Sequence, residues 1–121
     1  MPRFVLLEHT WDGVHWDLML ETGAVLRTWA IEAPPLAGTE LAARALPDHR
    51  RHYLDYEGAV SGNRGTVRRV DAGTYSVLEW ADTRVRVHLQ GSQLVGEVVL
   101  CQVGEKSEGA SSWVLRLGNL D

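Results

Sequence analysis

The run VHWDLMLETGAVLRTWAI (14–31) changes side at every residue and then turns back on itself. Val14, Trp16, Leu18 and Leu20 share one face of an extended chain, and His15, Asp17, Met19 and Glu21 share the other. A period of two marks a strand with one face against a core. Thr22-Gly23 reads as a two-residue turn, and AVLRTWAI returns as the partner strand. Upstream, RFVLLE (3–8) is another apolar, strand-like run, joined to Val14 by a short loop that holds Gly13. The first third of the chain therefore predicts a three-stranded meander.

Pro34, Pro35 and Gly38 interrupt this pattern. TELAARAL (39–46) reads as the one helix, with Thr39 as its cap and Pro47 as its end. DHRRHYLDYEG (48–58) is polar and irregular, and SGNRG (61–65) is a loop. Strand signals then resume in TVRRV, TYSVLEW, TRVRVHLQ, LVGEVVLCQV and SSWVLRL. Turns are expected at Asp71-Ala72-Gly73, Ala81-Asp82 and Gly91-Ser92. About eight short strands at this spacing predict a mainly β protein: a small antiparallel β-barrel with one short helix. One domain over residues 1–121 is expected.

Composition excludes several classes. Length 121 with 45% apolar and 23% charged residues suits one globular core. The net charge of −4 argues against a protein that coats nucleic acid without specificity. Cys101 is the only cysteine, which excludes an internal disulfide and a cysteine-rich zinc site, and its apolar run predicts a buried structural thiol. Arg3 and Glu8 interrupt the first apolar residues, so these are not expected to be a secretory signal. No apolar run reaches the ~20 residues of a membrane span. A reducing, cytoplasmic location is the default expectation.

The polar face of the first hairpin carries chemistry. His15 and Asp17 project together, ~7 Å apart along the strand. His9 ends the preceding strand and comes close to His15 if the two strands pair. Two imidazoles and one carboxylate suit a first-row divalent ion with open positions for water or substrate. The bland alternative is a set of exposed strand histidines. A second cluster follows at Asp48, His49, Arg50, Arg51, His52 and Tyr53. Residues 39–69 hold six arginines against four acids, whereas the remainder is net negative. Arginines beside a metal site are what a phosphate-handling site needs, although a solvated arginine-rich loop gives the same count. Trp11, Trp29, Trp80 and Trp113 read as core or loop packing, and His88 as an exposed strand residue.

With these residues in view, the chain resembles the 3′-phosphoesterase module of bacterial DNA ligase D and its stand-alone relatives. FVLLEH, VHWDLMLE and AVLRTWAI resemble the family's opening, DHRRHYLDYEG its Asp-His…Tyr…Asp-aromatic-Glu-Gly block, and GTVRRVDAGTY, LQGSQLVGEVVL and SSWVLRL its later strands. The resemblance implies a manganese-type divalent ion on His9, His15 and Asp17. It implies trimming of DNA or RNA-containing 3′ ends: removal of a terminal ribonucleoside, then of the 3′-phosphate. His49 matches the histidine at the scissile phosphate, and Tyr53 an active-site tyrosine. The chain also departs from the family. Met19 stands where the family has an arginine two residues after the metal-binding aspartate, and Pro47 where it has an acid. A further family arginine falls nearest Leu41 by count, with Arg44 one helical turn away. Arg44, Arg50, Arg51 or Arg64 would then have to hold phosphate. With no polymerase or ligase domain in these residues, such a partner is expected in trans, and no membrane partner is expected.

Two other readings compete. One is a non-catalytic relative that binds nucleic-acid ends or a repair partner, favoured by Met19 and Pro47. The other pairs His15 and Asp17 with a distant His49 or His88 as the facial triad of an iron oxygenase, in a chain that is short for that fold.

Overall fold

The computed structural model describes residues 1–35, 39–103 and 112–118. Nine strands are described: β1 (Arg3–Thr10), β2 (Val14–Thr22), β3 (Val25–Ile31), β4 (Glu40–Arg50), β5 (Gly58–Ala59), β6 (Thr66–Trp80), β7 (Arg84–Gly91), β8 (Val95–Gln102) and β9 (Ser112–Leu117). They pair antiparallel in the order β1-β2-β3-β4-β9-β8-β7-β6, and β6 pairs back onto β1. Eight strands thus close a barrel, which leaves that ring without an unpaired edge. The two-residue β5 is added to the start of β6.

The meander of β1, β2 and β3 forms as the alternation predicts, with Leu18 and Leu20 inside the barrel and Trp16 packed against the same core. Val14, at the strand tip, is exposed instead. The interior is filled by Phe4, Leu6, Trp29, Ile31, Val87, Leu89, Leu100, Trp113 and Leu115, among others. A second apolar cluster lies outside the barrel: Val5, Leu7, Met19, Leu26, Tyr53, Leu54, Val60 and Val67. It explains why FVLL is a continuous apolar run rather than an alternating one, since both faces of β1 are covered. The cover is a 3-10 turn, Arg51–Leu54, with the chain that follows it.

The expected helix over 39–46 is not formed; the 3-10 turn is the only helical element among the described residues. β4 pairs with β3 on one side and β9 on the other, which satisfies its backbone and overrides the helix propensity of Ala, Leu and Glu. Pro47 does not end the element. It sits in a bulge, where Pro47 and Asp48 oppose Arg27 alone between the pairs Thr28↔Leu46 and Leu26↔His49. Proline is tolerated there because no ladder hydrogen bond is asked of it. Gly38 and Ser111 lie outside the described residues.

Asp71-Ala72-Gly73 is not a turn either. β6 runs straight through it, bulged at Val70 and again at Leu78, which bends a 15-residue strand around the barrel. Asp71 is 4% exposed, and its carboxylate serves the neighbouring turn. It accepts hydrogen bonds from the backbone N–H groups of Ala72, Ser92, Gln93 and Leu94 at 2.7–3.1 Å. The turns at Ala81-Asp82 and Gly91-Ser92 are where the sequence puts them. Cys101 is half-buried rather than buried, because Val98 and Leu100 take the inward positions of β8. No helix among the described residues is long and apolar enough to cross a membrane.

Loop 61–65 is pressed onto the end of β1. A Cβ on Gly65 would stand 1.8 Å from the Thr10 carbonyl oxygen and 2.8 Å from Trp11 Cβ, at a φ of +78°. Only glycine allows that approach.

Asp71→Ala is expected to lower stability by about 3 kcal/mol, because it strands four backbone donors, one of them buried. Asp71→Asn should cost part of this, since its amide keeps one acceptor oxygen but turns an NH2 towards two of the four backbone donors. Denaturant unfolding of the three proteins measures this, and an Asn variant as stable as the parent would contradict it.

Candidate active site

The register of β1 on β2 sets His9 directly opposite His15, with Asp17 two residues further along the same face. The turn between the strands is tight: Asp12 and Gly13 both adopt positive φ, and the Trp11 N–H donates to the Gly13 carbonyl at 2.9 Å. One donor atom from each of His9, His15 and Asp17 lies within 4.8 Å of the other two. His9 Nδ1 is 3.2 Å from His15 Nε2, His15 Nε2 is 3.1 Å from Asp17 Oδ1, and His9 Nδ1 is 3.6 Å from Asp17 Oδ2.

The protons of this cluster are constrained. His9 Nε2 lies 2.8 Å from the Arg64 carbonyl, which can only accept, so Nε2 carries the hydrogen. In the neutral ring Nδ1 then presents its lone pair to the other two residues. This is the backbone support that orients a metal-binding imidazole. Asp17 is 2% exposed, and although its Oδ1 is close to His15, no donor meets it with hydrogen-bond geometry. Burial pushes the Asp17 carboxyl up, but the adjacent His15 and His9 outweigh that and hold it below the ordinary carboxylate value. Asp17 in turn raises the His9 imidazole above its ordinary value, against the effect of burial. Two half-buried imidazoles that converge with a buried, under-coordinated carboxylate oxygen fit a divalent cation.

The three residues sit at one end of a groove of about 490 Å³ on the outside of the barrel. Its lining includes Arg44, Asp48, His49, Arg50, Tyr53 and Arg64. Asp17, Ala30 and Arg44 are aligned across β2, β3 and β4, so a small side chain separates the carboxylate from the guanidinium. His49 follows the Pro47-Asp48 bulge, and its Nδ1 donates to the Pro47 carbonyl at 2.8 Å. Nε2 is the nitrogen left for a ligand. The Tyr53 ring is 5.8 Å from that of His49, edge to face, with most of its body in the outer cluster.

The arginines divide. Arg44 and Arg50 line the groove, and neither is paired with an acid among the described residues. Arg64 lines it too, but its guanidinium donates to the Ser61 carbonyl and hydroxyl. Arg51 is turned away and bonds Glu21. Leu41 packs against the barrel core and presents nothing to the groove. Met19 is 1% exposed and sealed into the outer cluster, where it forms part of the groove wall.

His88 is exposed on β7, opposite Ser76 and Glu97, and takes no part. The third residue that meets His15 and Asp17 is His9, from the adjacent strand. Trp29 and Trp113 are core residues, but Trp80 and Trp11 are not: both are exposed, and Trp11, at 49%, lines the groove. Its place at the tip of a hairpin whose polar face carries His9, His15 and Asp17 is the signal for this.

The chain is 32% identical over 106 residues to the multifunctional non-homologous end joining protein LigD of Mycobacterium bovis and to the corresponding DNA repair protein of Mycobacterium tuberculosis. The match covers 80% of this chain and 14% of each relative, so the chain spans about a seventh of the curated relatives it matches. Residues 7–102 match the DNA ligase D 3′-phosphoesterase domain, a stretch that contains every groove residue named above, and the chain belongs to that family.

Proposed function

We propose that this chain is a divalent-metal-dependent 3′-phosphoesterase that trims DNA or RNA-containing 3′ ends in repair, with manganese as the metal. The observation that carries the reading is the His9, His15, Asp17 cluster at one end of a groove whose other wall presents Arg44, Arg50 and His49. The metal, when bound, would neutralise charge on the phosphoryl oxygens and activate water for attack.

The chain's own residues do the remainder. Arg44 and Arg50 bind non-bridging phosphate oxygens and compensate the charge that grows on them in the transition state. In phosphate removal the water oxygen forms its bond to phosphorus as the bond to O3′ breaks, and O3′ leaves with a proton as the hydroxyl of the new end. In ribonucleoside removal the same attack breaks the bond to O5′, which leaves with a proton as the hydroxyl of the released nucleoside, and the 3′-phosphate stays on the end. His49 Nε2 supplies that proton or a hydrogen bond to the departing oxygen, in an orientation held by the Pro47 carbonyl. Tyr53, supported by the outer cluster, donates a hydrogen bond to phosphate. A ligase or polymerase acting on the same ends is the partner this reading expects.

Met19 favours one second reading, a module that binds ends without processing them. A methionine cannot make the forked phosphate contact of an arginine. Arg44 answers this, because it reaches the groove from β4, directly in line with Asp17.

Incubation with manganese and a primer–template bearing a 3′-ribonucleotide or a 3′-phosphate tests the two. Phosphate release or end shortening that is lost on chelation and in His15→Ala is expected. Primer that stays bound and intact in the wild type would support the binding module instead. Within an active enzyme, Arg44→Ala should lower turnover about 10²-fold. Arg51→Ala should change it less than twofold, since Arg51 bonds Glu21 outside the groove.

A further inference from the structure

Trp11 stands at the tip of the β1–β2 hairpin, 49% exposed, beside the His9, His15, Asp17 cluster. Its plane is only 20° from that of His9, with the ring centroids 6.2 Å apart. An exposed tryptophan on a flexible tip would be unremarkable, but this backbone is held. The Trp11 N–H closes the turn onto the Gly13 carbonyl, and Gly65 packs directly beneath the Trp11 Cβ. The loop that carries Gly65 also fixes His9 through the Arg64 carbonyl. One clamp therefore sets both a metal donor and an aromatic face, within a nucleotide's span of each other.

We propose that Trp11 is the stacking platform for the base of the nucleotide that carries the scissile phosphate. The inference rests on the phosphoesterase reading and adds to it a substrate class: ends whose last residue bears a base. An indole accepts any base, because every base has a π-face, so the contact discriminates the presence of a base rather than its identity. The groove wall next to it supports this. Met19, Val60 and Val67 line the same space and are apolar, which favours a planar, weakly hydrated group over a second charged one.

The test uses the full chain with manganese and two duplexes that differ only in the last residue: a 3′-phosphorylated nucleotide against a 3′-phosphorylated abasic residue. The wild type is expected to show a KM about tenfold lower for the base-bearing end, with similar kcat. Trp11→Ala should bring the two KM values together, and Trp11→Phe should keep most of the difference. Equal KM values in the wild type, or a preference that persists in Trp11→Ala, overturn the platform. A wild type that releases phosphate from neither end overturns the phosphoesterase reading instead. The platform is then decided by affinity, with the same duplexes titrated and followed by fluorescence anisotropy. A base-dependent affinity lost in Trp11→Ala upholds it, and equal affinities for the two ends overturn it.

Discussion

The pairing of His9 with His15 across β1 and β2 is the contact on which the rest of the site depends. Side chains alternate along a strand, so a slip of one residue would turn one of the two imidazoles into the barrel and break the cluster. Two features pin the register. The Asp12-Gly13 turn closes the hairpin at one end. Phe4 and Leu6 inside, with Val5 and Leu7 outside, bury β1 on both faces, and neither set tolerates exchange with the other. β6 then pairs along the free edge of β1 and makes the arrangement part of a closed ring.

That ring places the site unusually. Small barrels fill their interiors with side chains, and this one does so with Trp29, Trp113, Phe4, Tyr75 and a set of aliphatic residues. Among the described residues these side chains occupy the interior. The groove is built on the outer surface instead, between the β1–β2 hairpin and the bulged end of β4, under the segment that also buries the outer cluster. Tyr53 belongs to both. The side chain that lines the groove is therefore anchored by the packing that covers β1.

How much of this is legible in the sequence follows from the kind of signal each element carries. β2 is readable because its two faces differ in chemistry at every position, and the same alternation brings out the three candidate metal donors. β4 is not, since Ala, Leu, Glu and Arg favour helix, and its strand state rests on partners distant in the chain. Its period-two pattern is present but muted: Leu41, Ala43 and Ala45 face the core while Ala42 and Arg44 do not. Asp71-Ala72-Gly73 has turn composition for a different reason. Asp71 is needed to cap the next turn, and a Cβ on Gly73 would stand 2.1 Å from the Gln90 carbonyl oxygen. Composition reports that a residue is special without saying for which neighbour. The Pro47-Asp48 bulge, which aims His49, has no sequence signature that separates it from a helix end.

The row Asp17, Ala30, Arg44 has a further meaning. Two strand spacings separate the carboxylate's strand from the guanidinium's, a span of about 10 Å set by backbone hydrogen bonds. No loop movement can narrow or widen it without breaking a ladder that runs around the whole barrel. The groove is in this sense a gauge cut into the sheet itself, and its width is inherited from the peptide unit. What can be tuned is its lining, through side chains such as Met19 and Val67, and its ends, through the hairpin tip and the bulge.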